Sequence, residues 1–199
     1  VGYWSPNMLT EDIDVTWKLH RAGWEVRFEP NALVWILMPE TFNGLWKQRL
    51  RWAMGGAQVL LKNIDVLLKP KLNFLWPLII ELILTLVWSY LMLIMVIFWI
   101  LHLVLPLLGT PAISSPLLPM GTGILLGTTC LLQFAISKWM DSRYESTLVK
   151  NYYWMIWYPF VFWLITVTAS IVAFPKVLKL GSSKRARWVS PDRGMRQDG

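Results

Sequence analysis

The sequence predicts the end of an α/β domain joined to an α-helical membrane domain. Two observations lead there. Of 199 residues, 55% are hydrophobic and only 16% charged, with a mean hydropathy of +0.45, which lies outside the usual range of a soluble domain. The apolar residues are also unevenly spread: residues 1–72 mix acidic, basic and apolar side chains, whereas three long apolar stretches dominate from residue 73 onward. The chain starts on Val1 with no basic region leading into an apolar run, so it reads as the C-terminal part of a longer protein.

Residues 1–56 are expected to belong to the α/β domain. Thr10 is a good N-cap, Glu11, Asp12 and Asp14 give an acidic first turn, and Gly23 stands where a helix C′ residue would, so residues 11–22 should be helical. Trp24, Val26 and Phe28 then alternate with Glu25, Arg27 and Glu29, the period of a half-exposed strand that Pro30 ends. Ala32 to Met38 is a short apolar run closed by Pro39, consistent with a buried strand. A helical pattern begins at Thr41. Within it, residues 57–72 are expected to form an amphipathic helix lying in the membrane interface, with Ala57, Leu60, Leu61, Ile64, Leu67 and Leu68 on one face and Gln58, Lys62, Asp65 and Lys69 on the other.

Residues 73–175 hold three apolar segments, about 73–105, 119–137 and 152–174, each long enough to cross a ~30 Å hydrocarbon core. Residues 176–199 form a basic tail. Lys47 to Lys71 carries six basic residues, the connection Pro106 to Leu118 carries no charge, and Lys138, Arg143 and Lys150 mark the next connection, which predicts in, out, in. The tail conflicts with this, because it would lie outside if the third segment crosses; either this segment, with its internal Pro159, is re-entrant or interfacial, or the rule fails here. The net charge of +7 sits beside apolar spans instead of interleaving with aromatics on a soluble face, which favours anionic lipid over nucleic acid as the partner. The single cysteine, Cys130, excludes an intrachain disulfide and a thiolate metal site.

Two stretches can carry chemistry. "LTEDID" places three carboxylates in four positions, which is either a helix cap or a site with a general base. In "KQRLRW", Gln48, Arg51 and Trp52 stand at i, i+3 and i+4 and share one helical face. That face offers an amide, a guanidinium fork suited to phosphate oxygens and a flat ring on which a sugar can stack. The plainer reading is that Lys47, Arg49 and Arg51 are interfacial anchors and Trp52 an aromatic-belt residue.

Taken together, Thr10-Glu11-Asp12 followed by Gln48-x-x-Arg51-Trp52, ahead of membrane spans, resembles the C-terminal half of processive family 2 glycosyltransferases. The text "LTEDIDVTWKLHRAGW" and "RARWVSPDRG" looks most like members that polymerise N-acetylglucosamine. The resemblance implies a GT-A catalytic domain and inverting transfer from UDP-N-acetylglucosamine to a growing β-1,6-linked exopolysaccharide of the biofilm matrix. It implies Asp12 as the general base, Thr10 and Glu11 as its motif neighbours, Gln48 and Arg51 on the donor diphosphate, and Trp52 under the acceptor sugar. Mg²⁺ or Mn²⁺ would be held mainly by an N-terminal half, with no metal ligand in these residues. It further implies the bacterial inner membrane with the catalytic side cytosolic, contact with membrane lipids, a small accessory membrane subunit, and regulation by cyclic di-GMP. The alternatives are a cellulose, chitin or hyaluronan type of synthase, or a non-catalytic membrane scaffold or transport subunit.

Overall fold

The computed structural model describes residues 1–109, 120–144, 157–180 and 186. They fall into two compact units, one of Val1–Tyr90 with Ile165–Gly199 and one of Leu91–Leu164. The helices are α1 (Glu11–Arg21), α2 (Phe42–Asn63), α3 (Trp76–Val104), α4 (Met120–Asp141) and α5 (Tyr158–Leu180), with short 3-10 helices at Ile64–Leu68, Pro70–Leu75 and Leu105–Leu108.

In the first unit, α1 stops as its sequence dictates. Gly23 takes a left-handed φ of 83°, its N–H reaches the His20 carbonyl at 3.0 Å, and the Trp24 N–H reaches the Leu19 carbonyl at 3.0 Å. These are the paired bonds of a Schellman motif, which satisfy carbonyls that the helix end would otherwise orphan. Thr10, Asp14 and Trp17, spaced i, i+4 and i+7, form the buried stripe of α1. α2 starts at Thr41, whose hydroxyl accepts the Gly44 N–H at 3.0 Å. The core joins Met8 and Trp17 to Val59 and Leu60 of α2, Val66, and Leu75 and Ile79 at the start of α3. At the far end of α1, Arg21 forks onto Asp65 with bonds of 2.8 and 2.9 Å.

α5 joins the same unit through a stripe of buried residues four apart, Ile165, Ala169, Ala173 and Val177. The small side chains let neighbouring helices approach closely. From α3, the Tyr90 hydroxyl donates to the Ile171 carbonyl at 3.2 Å, and its ring meets Phe174 edge-on. Just beyond α5, the Ala186 N–H donates to the Pro6 carbonyl at 2.9 Å. The second unit contains the remainder of α3, which ends in a 3-10 turn closed by left-handed Gly109, and all of α4.

Two expectations need correction. No strand forms among the described residues: residues 24–28 and 32–38 have no regular secondary structure, with a turn at Pro30 and Asn31 between them, and they ladder with nothing. A strand needs a hydrogen-bonded neighbour, and the side chains here stay open to solvent, Phe28 at 89% and Trp35 at 79% exposure. Residues 57–72 do not make one amphipathic helix. α2 runs unbroken through residue 56 and ends at Asn63, whose amide donates back to the Val59 carbonyl at 2.9 Å, and two 3-10 helices complete the segment. Leu61, Ile64 and Leu68 are exposed, while Val59, Asn63 and Val66 turn inward. Pro159 does not interrupt the third apolar segment, since it lies in the first turn of α5, where a missing N–H costs no helical bond.

Helices α3, α4 and α5 fall on the three expected apolar segments with shifted ends. Among the described residues two stretches are long and apolar enough to cross a membrane, Pro70–Leu108 and Val161–Leu180. The uncharged connection from residue 110, residues 145–156 and the basic side chains Lys184, Arg185, Arg187, Arg193 and Arg196 lie outside the described residues.

Candidate functional site

α1 and α2 bring the two motifs together. Contacts between them advance in the same direction along both helices, from Thr10 against Gly55 through Asp14 with Lys62. Arg21 extends the run onto Asp65, just past α2. At the N-terminal end of α1 they leave a cavity of about 470 Å³ lined by Trp4, Thr10, Glu11, Asp12, Ile13, Arg51 and Trp52.

Asp12 is exposed into this space. Its Oδ1 accepts the Ile13 N–H at 2.9 Å, and its backbone carbonyl accepts the Thr16 hydroxyl at 2.9 Å. Glu11 beside it is exposed too. Thr10 departs from its expected capping role: its hydroxyl makes no cap bond and is buried without a partner among the described residues. The cause is packing, because the Thr10 side chain is pressed against Gly55 of α2, where any added Cβ would overlap it.

Across the cavity, Arg51 is half-buried and its Nη1 donates to the Leu9 carbonyl at 3.5 Å. The Trp52 ring is 43% exposed, with the Arg49 guanidinium 4.5 Å from its centroid in a cation–π contact. Gln48 goes elsewhere. It is 6% exposed, does not line the cavity, and keeps its side-chain carbonyl without a partner among the described residues, an omission that costs about 1–3 kcal/mol. Arg51 and Trp52 therefore share the cavity with Asp12, and Gln48 does not.

Sequence reasoning missed Trp4 and Ile13 as lining residues, Arg49 as the neighbour of Trp52, and Gly55 as the contact point. The Gly55-Gly56 pair inside a helical pattern was the available signal, since glycine there costs helix stability unless something approaches closely. The structure gives Asp14 to Lys62 of α2, with which it forms a short ion pair, and to Lys18 at 3.6 Å. Lys62 also donates to the Ser5 hydroxyl at 3.2 Å.

Burial pushes the Asp14 carboxyl up, but the hydrogen bonds from Lys62 and Ser5 and the charges of Lys62 and Lys18 outweigh it and hold it below its ordinary value. Asp65, held by Arg21 and Lys69, lies well below the carboxylate range. A carboxyl lowered on folding contributes stability above its unfolded value and loses it as pH falls through the folded one. The thermal midpoint of the detergent-solubilised protein is therefore expected to fall as pH drops below about 4. Asp14→Asn should flatten that dependence; an unchanged slope would show that the pair does not couple to folding.

The carboxylates of the cavity are Glu11 and Asp12, and among the described residues no three His, Cys, Asp or Glu side chains meet. Two carboxylates opposite a guanidinium do not make a self-sufficient divalent-cation cage. The arrangement itself sets two carboxylates, a guanidinium and an indole ring around a space of sugar size.

The family model for "Glycosyl transferase family group 2" matches residues 1–172. Poly-beta-1,6-N-acetyl-D-glucosamine synthase of Staphylococcus epidermidis is 39% identical over 200 residues, which is 98% of this chain and 47% of that protein. The protein of the same name from Staphylococcus aureus (strain COL) is 40% identical over 208 residues, 99% of this chain and 48% of the relative. The chain thus spans about half the length of the curated relatives it matches. No solved structure matches. With Asp12, Arg51 and Trp52 gathered around one cavity and the family pattern running through all but the last 27 or so residues, the chain belongs to glycosyl transferase family group 2.

Proposed function

We propose that these residues form the acceptor side and membrane domain of a synthase that polymerises N-acetylglucosamine from UDP-N-acetylglucosamine into a β-1,6-linked polysaccharide. The observation that carries this is the meeting of Asp12, Arg51 and Trp52 around one cavity, supported by the names of the relatives. The acceptor sugar lies on Trp52. Its 6-hydroxyl oxygen attacks the anomeric carbon of the donor as the bond to the UDP oxygen breaks, and Asp12 takes the hydroxyl proton. Arg51 faces the diphosphate as charge accumulates on it. Mg²⁺ or Mn²⁺, held by ligands from the rest of the protein, offsets the remaining phosphate charge. The length and apolarity of α3 and α5 support a membrane location, and on this reading the cavity faces the cytosol at a bacterial inner membrane.

The test is polymer synthesis from labelled UDP-N-acetylglucosamine in membranes containing the full-length protein and its accessory subunit. Trp52→Ala is expected to shorten or abolish the polymer, because a stacking platform contributes on the order of 1–3 kcal/mol, while donor affinity stays within about twofold. Normal chain length in Trp52→Ala would remove the acceptor role. Failure of the wild-type protein to make polymer from this donor would remove the proposal itself.

A further inference from the structure

Asp12 has no contact with α2 that fixes its direction, yet it must aim at a single hydroxyl. What fixes it lies on the other side of its helix. Successive residues of an α-helix turn by about 100°, so Asp12 and Asp14 point roughly 200° apart. Asp14 is fully buried, with its side chain 1% exposed, and it is tied to α2 through Lys62. Lys62 is in turn tied to Ser5 ahead of α1, and Lys18, one turn along, adds a second cation. Thr10 on Gly55 and Arg21 on Asp65 hold the two ends of the same stripe. These contacts set the rotation of α1 about its axis.

We propose that Asp14 and Lys62 are positioning residues for the transfer reaction: their buried ion pair locks the rotation of α1 so that Asp12 faces the cavity shared with Arg51 and Trp52. The inference rests on the base role of Asp12 proposed above. Thr10 on Gly55 and Arg21 on Asp65 pin the two ends of α1, but between them the packing of Trp17 is an apolar contact without direction, so the first turn and middle of the helix take their rotation from the Asp14–Lys62 pair. The ion pair is directional. A roll that displaces the Asp12 carboxyl by about 1 Å is enough to cost on the order of 10²-fold in rate.

Removing Lys62 alone would leave the buried Asp14 carboxylate with only Lys18 at 3.6 Å as a cation and destabilise the unit strongly, so the informative change neutralises both partners at once, Asp14→Asn with Lys62→Met. It is made in the full-length protein, in membranes with the accessory subunit. The expected result is a thermal midpoint close to wild type, kcat lowered about 10- to 100-fold and KM for UDP-N-acetylglucosamine within about twofold. Lys62→Arg, which keeps the pair, should recover most of the lost turnover. Wild-type kcat in the double variant overturns the proposal, and so does a loss of kcat matched by a lowered midpoint, which would mean the pair only holds the fold. Asp12→Asn run alongside separates the two levels. If it abolishes synthesis while the double variant is fully active, the lock alone is refuted; if it leaves synthesis intact, the base assignment falls and the lock with it.

Discussion

Asp12→Asn in the full-length protein is expected to lower polymer synthesis about 10²- to 10⁴-fold, the usual contribution of a positioned general base. The change is nearly isosteric and Asp12 is exposed, so protein level and thermal midpoint should not move. The bond from the Ile13 N–H to Oδ1 can be kept by the amide oxygen of asparagine. On the reading proposed above, what is lost is the ability to take the acceptor hydroxyl's proton as the new C–O bond forms. Glu11→Gln gives the control: Glu11 lines the same cavity, and a loss there equal to that of Asp12→Asn would mean that the two carboxylates act as one unit. Undiminished synthesis in Asp12→Asn would exclude it as the base.

The second large effect is expected at Gly55→Val. On helix propensity alone valine is better than glycine by a few tenths of a kcal/mol, so an unobstructed site would be slightly stabilised. Gly55 is obstructed. A Cβ there would lie 2.8 Å from the Thr10 Cβ and closer still to its Oγ1 and Cγ2. Rotating the Thr10 side chain does not move its Cβ, so the helices must separate, at about 1–3 kcal/mol or more for overpacking of this kind. The first turn of α1 would shift with them, and synthesis should fall along with the thermal midpoint. Adding Thr10→Gly removes the obstructing atoms and should recover the midpoint in part. A midpoint unchanged by Gly55→Val would show that α1 does not rest on α2 at this point.

The parts of this chain that were legible in its sequence are those with local causes. Thr10 to Gly23 spells a helix with both its ends, and the apolar segments announce themselves by length. The residues around the cavity could be picked out because Glu11, Asp12, Arg51 and Trp52 belong to two short motifs whose order carried meaning. Strand expectations for residues 24–38 failed for the opposite reason. Alternation gives a residue's preference for a pleated surface, but the ladder that turns preference into a strand must come from another segment, and these residues find none among the described ones. The inward face was misjudged from residue 64 onward because α2 ends at Asn63 and the 3-10 turns that follow advance by a different angle per residue. Neither Asp14 with Lys62 nor Thr10 with Gly55 could have been paired from sequence, since each contact joins positions more than forty apart with no local signature.

The docking of the end of α5 also bears on the count of membrane crossings. Val177 and Leu178 line a cavity with Met8, Gln58 and Lys62, and Ala186 is bonded to Pro6, so the chain returns after α5 to the layer that carries Asp12. On the reading proposed above, both the entry to the membrane near Pro70 and the exit near Leu180 are then cytosolic. On that reading the path leaves and re-enters through the same leaflet, which requires an even number of crossings.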